Sequence, residues 1–346
     1  MFTIEMLPAE DGDCFWINYG DRADSKNILI DSGTKKTPAI IGKRLGISPG
    51  IDILIMTHYD NDHIEGVLGL ESIGKNLLDI KDVWFNGWQH VHKVALDKMG
   101  PAEAEAFSQR IVNSGWPWNK AFKGGPIFIE EKKALPEVKV GAARLTVLSP
   151  TANNLVKLKN DWENRLKDVE PGSGEKGKLP PDMMGSTALS EKTVRKWAEN
   201  KYSLDTKPAN ASSICVLIDY EGKKALFAGD ANPSVILGSI RKLSKKGEKL
   251  KLDFFKVPHH GSKHNLCNEL IQAVDCQNYL ISTNGKIHNH PDPEAIAKIV
   301  VFSTKPAYLW FNYKTKYNIM WEDKKLQKKF NYKTVYGIGG NLKIPR

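Results

Sequence analysis

The 346-residue chain is poor in cysteine, and its four, Cys14, Cys215, Cys267 and Cys276, lie far apart with no CxxC pair. That excludes a zinc-finger framework and a disulfide-stapled scaffold; three of the four adjoin apolar residues, which predicts reduced thiols packed in a core. No apolar run approaches the roughly 20 residues of a membrane-spanning helix. The opening Met1-Phe2-Thr3-Ile4-Glu5 places an acid where a secretory signal would carry its apolar segment, so the expectation is a cytoplasmic protein. Internal repeats are also missing, which excludes a repeat architecture. What is present is 41% hydrophobic residues over a length sufficient for one full core with an insertion or appendage.

The formal charge is +10, and it is unevenly placed. From Val301 onward, Lys305, Lys314, Lys316, Lys324, Lys325, Lys328, Lys329, Lys333, Lys343 and Arg346 are opposed only by Glu322 and Asp323. Aromatic residues are interleaved there, among them Tyr308, Trp310, Phe311, Tyr317, Trp321, Phe330, Tyr332 and Tyr336. Two readings fit: a surface that stacks bases and neutralises phosphates, or a strand and helix that dock their aromatics on the core with lysines outward.

Short β-rich runs predict strands at Phe2–Leu7, Cys14–Tyr19, Asn27–Asp31, Asp52–Met56, Asp82–Phe85, Ile127–Glu130, Leu145–Leu148, Ile214–Tyr220, Lys224–Ala228, Phe254–Val257 and Tyr279–Ser282. Gly12-Asp13 and Gly20-Asp21 supply the turns of an opening hairpin, and the nearly continuous Ile51-Asp52-Ile53-Leu54-Ile55-Met56 reads as a strand covered on both faces. Helices are expected at Pro38–Leu45, His63–Leu70, Ala102–Asn113, Asn265–Val274 and Pro293–Val300. Thr151–Pro208 breaks the rhythm: it is polar, charged, mostly helix-forming and contains the linker-like Pro171-Gly172-Ser173-Gly174-Glu175-Lys176-Gly177. It reads as an insertion, either a lid over a site or an exposed loop.

The chemistry-bearing residues begin where the buried strand ends. Thr57-His58-Tyr59-Asp60-Asn61-Asp62-His63 offers four potential metal ligands within six residues, and a strand-to-helix loop can splay His58 and Asp60 toward one ion and Asp62 and His63 toward a second. Three further segments have ligand-type residues near a strand end: Gly229-Asp230, Pro258-His259-His260-Gly261-Ser262 and Ile287-His288-Asn289-His290-Pro291. Each is weak alone, and together with the first they complete a plausible ligand set. Asp13 and Asp31 are expected to hold the hairpin and support ligands. His90 and His92 form an HxH pair, read as surface histidines with a pocket-lining role as the alternative.

In order and spacing these motifs, with Gly12-Asp13 and Ile28-Leu29-Ile30-Asp31-Ser32-Gly33, resemble the metallo-β-lactamase superfamily and, within it, the ComEC-type hydrolase domain associated with competence-linked DNA uptake. The resemblance spans roughly residues 1–310, with 311–346 left as a basic, aromatic-rich extension. It implies an α+β fold, a four-layer αββα sandwich with a helical insertion at 151–208, and two divalent metal ions at the sheet edge. Two departures stand out. Residue 60 is aspartate where most members have histidine, and no histidine lies between His92 and His259, so Asn210-Ala211-Ser212-Ser213 occupies the usual third-histidine position.

The resemblance implies metal ligation by His58, Asp60, Asp62, His63, Asp230, His260 and His290. On this resemblance His58, Asp60 and His260 are expected on one ion and Asp62, His63 and His290 on the other, with Asp230 bridging. His259 and Asp62 are the expected catalytic residues, His259 bonding a phosphoryl oxygen or protonating a leaving alkoxide; Asn210, Ser212 and Ser213 are candidate substrate-binding residues. Asp60, Asp62 and Asp230 offset three of the four charges on two divalent ions, which suits an anionic phosphodiester, and the oxygen-rich ligand set admits manganese as well as zinc. The expected function is a metal-dependent phosphodiesterase or nuclease using a metal-bridging hydroxide, with nucleic acid or another phosphodiester as partner. The alternatives are a small-molecule phosphoester or lactone hydrolase and a non-catalytic binding module.

Overall fold

Strand side chains alternate between two faces, so a strand buried along its whole length needs an apolar environment on each side. The computed structural model shows how the opening strands obtain both; it describes residues 1–344 apart from 22–23, 48–49, 71–78, 93–101, 168–188 and 246. The chain begins with β1 (Phe2–Met6), β2 (Phe15–Tyr19) and β3 (Lys26–Ile30), then α1 (Pro38–Ile47), β4 (Ile53–Ile55), α2 (Asn61–Leu68), β5 (Val83–Trp84), α3 (Trp88–His92) and α4 (Ala102–Ser114). There follow β6 (Glu137–Val140), β7 (Ala143–Ser149), α5 (Ala152–Lys167), α6 (Glu191–Glu199), α7 (Pro208–Ala211), β8 (Cys215–Tyr220), β9 (Lys223–Phe227) and α8 (Pro233–Leu243). The remainder is β10 (Leu250–Lys256), α9 (Asn268–Gln272), β11 (Val274–Ile281), α10 (Pro293–Phe302), β12 (Ala307–Phe311), α11 (Lys324–Phe330), β13 (Tyr332–Tyr336) and β14 (Leu342–Ile344).

The strands form two sheets, ordered β14-β1-β2-β3-β4-β5 and β13-β12-β11-β10-β9-β8-β7-β6. They pack face to face: the Phe15 and Phe227 rings meet edge-on at 5.4 Å, and Phe2 stacks on Tyr220. Phe15, Ile17, Ile28 and Ile30 enter this inter-sheet core. Their neighbours Trp16 and Leu29 turn the other way, into a second cluster with Ile41 of α1, Ile64 of α2 and Phe107 of α4. Helices α8 and α9 pack on the large sheet against β7 and β11, and Ile296 and Ile299 of α10 are fully buried beside them. The α+β fold is a sandwich of two sheets between helical layers.

Chain direction explains where a site can form. From β9 to β13 the large sheet is parallel, each successive strand reached through a helix, and β3 and β4 of the small sheet are parallel through α1. Residues leaving β3, β4, β9, β10 and β11 are thereby delivered to strand ends where loops can converge, the usual location of binding sites in sheets of this kind.

Expected elements appear with shifted ends, and some differ in kind. Ile127–Glu130 is reduced to a bridge between Ile129 and Thr151. The first ligand helix starts at Asn61, two residues before expectation, which puts Asp62 and His63 in its first turn. Helix α8 was not anticipated, although Asn232-Pro233 announces it: the Asn232 side chain caps Ser234 N–H and proline fits the first helical position. In the insertion, Trp162 of α5 packs on Tyr59 and Trp88; the Pro171–Gly177 linker lies outside the described residues.

Residues 311–344 join both sheets, β13 beside β12 and β14 beside β1. Phe311, Trp321, Phe330 and Tyr332 are buried while Lys324, Lys325, Lys328, Lys329 and Lys333 face solvent. Of the two readings of this segment, docking on the core describes these aromatics, which cannot also stack bases. No helix among the described residues is long and apolar enough to cross a membrane.

His90 of α3 is buried, a correction to the surface position expected for it; the His92 side chain lies outside the described residues. Gly87 N–H donates to His90 Nδ1 at 3.2 Å, a bond that requires this nitrogen unprotonated, and burial pushes the pKa down to about 4. The unfolded chain takes up this proton near pH ~6.5, so the stability from a neutral His90 is full above that pH and is lost as pH falls toward 4. Urea melts between pH 7 and 4.5 should show wild type losing up to about 3 kcal/mol from this group, with His90→Gln less pH-dependent. Parallel pH profiles would remove His90 from the account.

Candidate metal centre

The loop after β4 is tied to the end of β3 by one carboxylate. Asp31 follows β3 with a left-handed backbone (φ 56°) and is fully buried. Its Oδ1 accepts Thr57 N–H at 2.7 Å, and its Oδ2 accepts the Thr57 hydroxyl at 2.9 Å and His63 Nδ1–H at 2.8 Å. Two glycines let backbones approach closely here. A Cβ on Gly66 would lie 1.8 Å from the Ser32 carbonyl oxygen, and one on Gly12 would lie 1.6 Å from that of Asp62. The opening hairpin therefore rests directly on the ligand loop, which is the physical use of its Gly12-Asp13 turn.

The imidazoles share a pattern. His63 Nδ1–H is given to Asp31 and His260 Nδ1–H to the Ser282 carbonyl at 2.8 Å, while His58 Nδ1 lies 3.1 Å from the Thr57 hydroxyl, whose own proton goes to Asp31. Acceptors at Nδ1 select the tautomer that leaves a lone pair on Nε2. The Nε2 atoms of His58, His63 and His260 are buried without a hydrogen-bond partner. His259 belongs with them: its Nδ1 faces Asn265 Oδ1 at 2.9 Å and Asp205 Oδ2 at 3.2 Å. Both residues of the His259-His260 pair have left-handed backbones (φ 45° and 53°). That unusual conformation for two non-glycine residues lets consecutive side chains serve one cluster, their rings 5.8 Å apart.

Asp230 sits at the middle. Its Oδ2 lies 3.8 Å from His58 Nε2, 3.6 Å from His63 Nε2 and 3.5 Å from His259 Nε2, while its Oδ1 has no hydrogen-bond partner. Asp62 Oδ2 lies 3.6 Å from His63 Nε2 and 3.1 Å from His260 Nε2, and Asp60 Oδ2 is 3.7 Å from His58 Nε2. Two ligands of one tetrahedral zinc stand about 3.3 Å apart, so the donor spacing and unpaired lone pairs fit divalent ions. Beneath lies Lys256, fully buried, ion-paired with Asp13, donating to the Gly229 carbonyl at 3.0 Å and 3.9 Å from Asp230 Oδ1. Burial would raise the Asp13 carboxyl, but Lys256 and then His260 hold it below the usual value. Burial opposes ionisation of Asp230 also, and His259, His63 and His260 keep it well below the carboxylate range.

Most sequence candidates meet at this centre. His260 faces Asp62, on the side of His63, while His259 stands by Asp230 with His58. His290 has its ring 5.4 Å from that of His259 and a buried Nδ1 without a hydrogen-bond partner, 3.6 Å from Asp292 Oδ2. Asn210, Ser212 and Ser213 are buried and bonded within the protein. Asn210 donates to Asp205 Oδ2 at 2.6 Å, Ser212 donates to the Ala209 carbonyl, and Ser213 Oγ accepts Asp230 N–H. Sequence reasoning missed Lys256, Asp205, Asn265 and Ser282. A lone lysine in the apolar Phe254-Phe255-Lys256-Val257 was a usable signal; Asp205, inside a polar stretch, carried none. Among the described residues, Asp13, His63, Asp230 and His260 offer ligand atoms within 4.8 Å of one another.

Elemental analysis of purified Asp62→Ala and His63→Ala should find at least half of the wild-type metal missing, with each variant still folding cooperatively. Removing a donor whose Nε2 or carboxylate faces other donors leaves the sheets untouched. Full wild-type metal content in either variant would show that the residue is not a required ligand.

The family model described as the metallo-beta-lactamase superfamily matches residues 8–138, the segment that carries Asp13, Asp31 and the His58–His63 loop. No curated protein matches the sequence. Among solved structures, the metallo-beta-lactamase fold protein YhfI from Bacillus subtilis is similar over 99% of each chain, at 10% identity and a TM-score of 0.40. CmlA, a diiron beta-hydroxylase from Streptomyces venezuelae, is similar over 100% of this chain and 54% of its own, at 12% identity and a TM-score of 0.44. The family match thus falls on the ligand loop and its supports, in a two-sheet α+β fold with this donor cluster at its strand ends.

Proposed function

We propose that the protein is a metal-dependent phosphodiesterase, with nucleic acid as its preferred substrate class and the cluster around Asp230 as its reaction centre. The observation that carries this reading is the convergence of unpaired imidazole nitrogens and carboxylates at coordination spacing around Asp230. His58, Asp60 and His259 would hold one divalent ion and Asp62, His63 and His260 the other, with Asp230 shared. Zinc or manganese ions held there would supply Lewis-acid activation of water and of the phosphoryl group.

The chain's own residues set the charge and the contacts. Asp60, Asp62 and Asp230 leave two divalent ions with net positive charge, which favours an anionic phosphodiester over a neutral ester. His290 takes the role first expected of His259. Burial holds its pKa well below the ordinary value. It is thus a neutral imidazole at pH 7, suited to donate a hydrogen bond to a phosphoryl oxygen. Asp292, His290's neighbour, accepts Lys263 N–H at 2.8 Å and so holds this loop to the His259-His260 turn.

A second reading, a small-molecule phosphoester or lactone hydrolase, is favoured by the buried aromatics of the C-terminal segment, which leave its exposed lysines as the polymer-binding feature there. Hydrolysis of bis(p-nitrophenyl) phosphate by metal-loaded wild type tests the chemistry. His290→Ala should keep its metal and lose about a hundredfold in kcat, the scale of one proton-handling group; loss of metal would make His290 a ligand instead. Lys324, Lys325 and Lys328 test the polymer. Lys329 is spared because it pairs with Glu191 at 3.0 Å. Charge reversal of the three should weaken nucleic-acid binding and flatten its salt dependence by up to about 0.9 in log–log slope per lost contact, leaving the chromogenic reaction near wild type. Unchanged affinity and slope would favour the small-molecule reading.

A further inference from the structure

The irregular segment 201–207, between α6 and α7, is bound to the loop that follows the paired histidines. Asp205 N–H donates to the His264 carbonyl at 3.1 Å, and His264 Nδ1 lies 2.9 Å from the Ser203 carbonyl oxygen. This strap brings one carboxylate inward. Asp205 Oδ2 lies 3.2 Å from His259 Nδ1 and accepts Asn210 Nδ2–H at 2.6 Å and Asn265 Nδ2–H at 3.3 Å, while Oδ1 accepts Lys207 N–H at 3.0 Å. Four donors around one largely buried carboxylate fix both of its oxygens. Burial would raise its pKa, but His259 and then Asn210 outweigh that and keep it ionised.

We infer that Asp205 is a positioning residue: delivered by the 201–207 strap and braced by Asn210, it holds His259 with Nε2 turned into the Asp230 site. The inference rests on the reading of that site as a metal centre. Its physical content is a relay. Asn210 orients Asp205, Asp205 orients the His259 ring, and His259 Nε2 arrives 3.5 Å from Asp230 Oδ2. The Asn265 side-chain oxygen also faces His259 Nδ1, at 2.9 Å. A neutral amide can hold the ring, but only the carboxylate adds the charge that makes Nε2 a stronger donor toward a cation. The strap therefore links the polar segment preceding α7 to the metal centre, a connection invisible in the 54 positions that separate residues 205 and 259.

The test compares wild type, Asp205→Asn and Asp205→Glu, each stripped with chelator and titrated with cobalt(II) while its visible spectrum is recorded. Asp205→Asn should bind cobalt about ten- to hundredfold more weakly at one of two sites, the usual cost of losing such a support, with an altered spectrum, and Asp205→Glu should recover part of both. A strap that merely stabilises the fold would lower the melting temperature and leave spectrum and affinity unchanged, which overturns the inference. Absence of cobalt binding by wild type would defeat the metal-centre reading itself. A metal-free readout keeps the two separable: histidine-selective ¹⁵N NMR should show a downfield Nδ1–H signal, assigned by its loss in His259→Ala, that moves upfield in Asp205→Asn. No movement of that signal overturns the role of Asp205 whatever cobalt does.

Discussion

A buried imidazole nitrogen without a hydrogen-bond partner costs about 1–3 kcal/mol; among the described residues there are four, His290 Nδ1 and the Nε2 atoms of His58, His63 and His260, the last three near one another. Such an arrangement persists only where the surroundings over-determine it. Each of these three rings is fixed through its other nitrogen, by the Thr57 hydroxyl, Asp31 and the Ser282 carbonyl. Those partners are fixed in turn: Ser282 Oγ donates to the Gly12 carbonyl and accepts from Asn312, and Asp31 grips both ends of the β4 loop. Support for the donor set thus runs from the first hairpin to the residue following β12, and the two sheets together hold what neither could hold alone.

The same economy governs charge. Several carboxylates gathered in a dry interior would repel, and an isolated buried ion is expensive to desolvate. Lys256 answers this beneath the site by pairing with Asp13 and lying near Asp230. Because it is fully buried on β10, between the parallel strands β9 and β11, its position is set by the sheet and not by solvent-exposed side-chain freedom. The centre keeps Asp230 ionised by surrounding it with imidazoles and this ammonium. Divalent ions would meet carboxylates already ionised and imidazoles already oriented, which is the physical meaning of a preorganised site.

Much of this was legible in the sequence for a specific reason. Where local pattern and burial agree, as in the apolar β4 run followed directly by His58–His63, the strand and its ligand loop follow from alternation and from the improbability of so many ligand-type residues at a strand end. The Asp31 and Asp13 supports could be anticipated as turn and strand-end acids. Pairings were not legible. Whether His259 or His260 joins His58 depends on two consecutive left-handed backbone conformations, and no propensity forecasts those in histidine. The C-terminal strands were hidden by their lysines: β13 and β14 are edge strands whose outward residues are charged, a pattern that also describes a nucleic-acid-binding tail.

The structure shows what part of that segment does. Trp321 and Tyr332 fill the core below α11, with Tyr332 Oη donating to the Trp321 carbonyl, so these two aromatics of the tail are spent on docking. The segment then touches the metal centre's surroundings from outside. Tyr317 bonds Asn289 in the loop that carries His290, and Tyr313 Oη accepts Glu10 N–H beside the first hairpin. The 201–207 strap approaches from the opposite partner, the His259-His260 turn. Sheets therefore hold the donors, while two late-arriving segments hold the loops that present His259 and His290. On the function proposed above, the donor set belongs to the sandwich, and the strap and the tail, which hold the surrounding loops, are where selection among anionic substrates would be set.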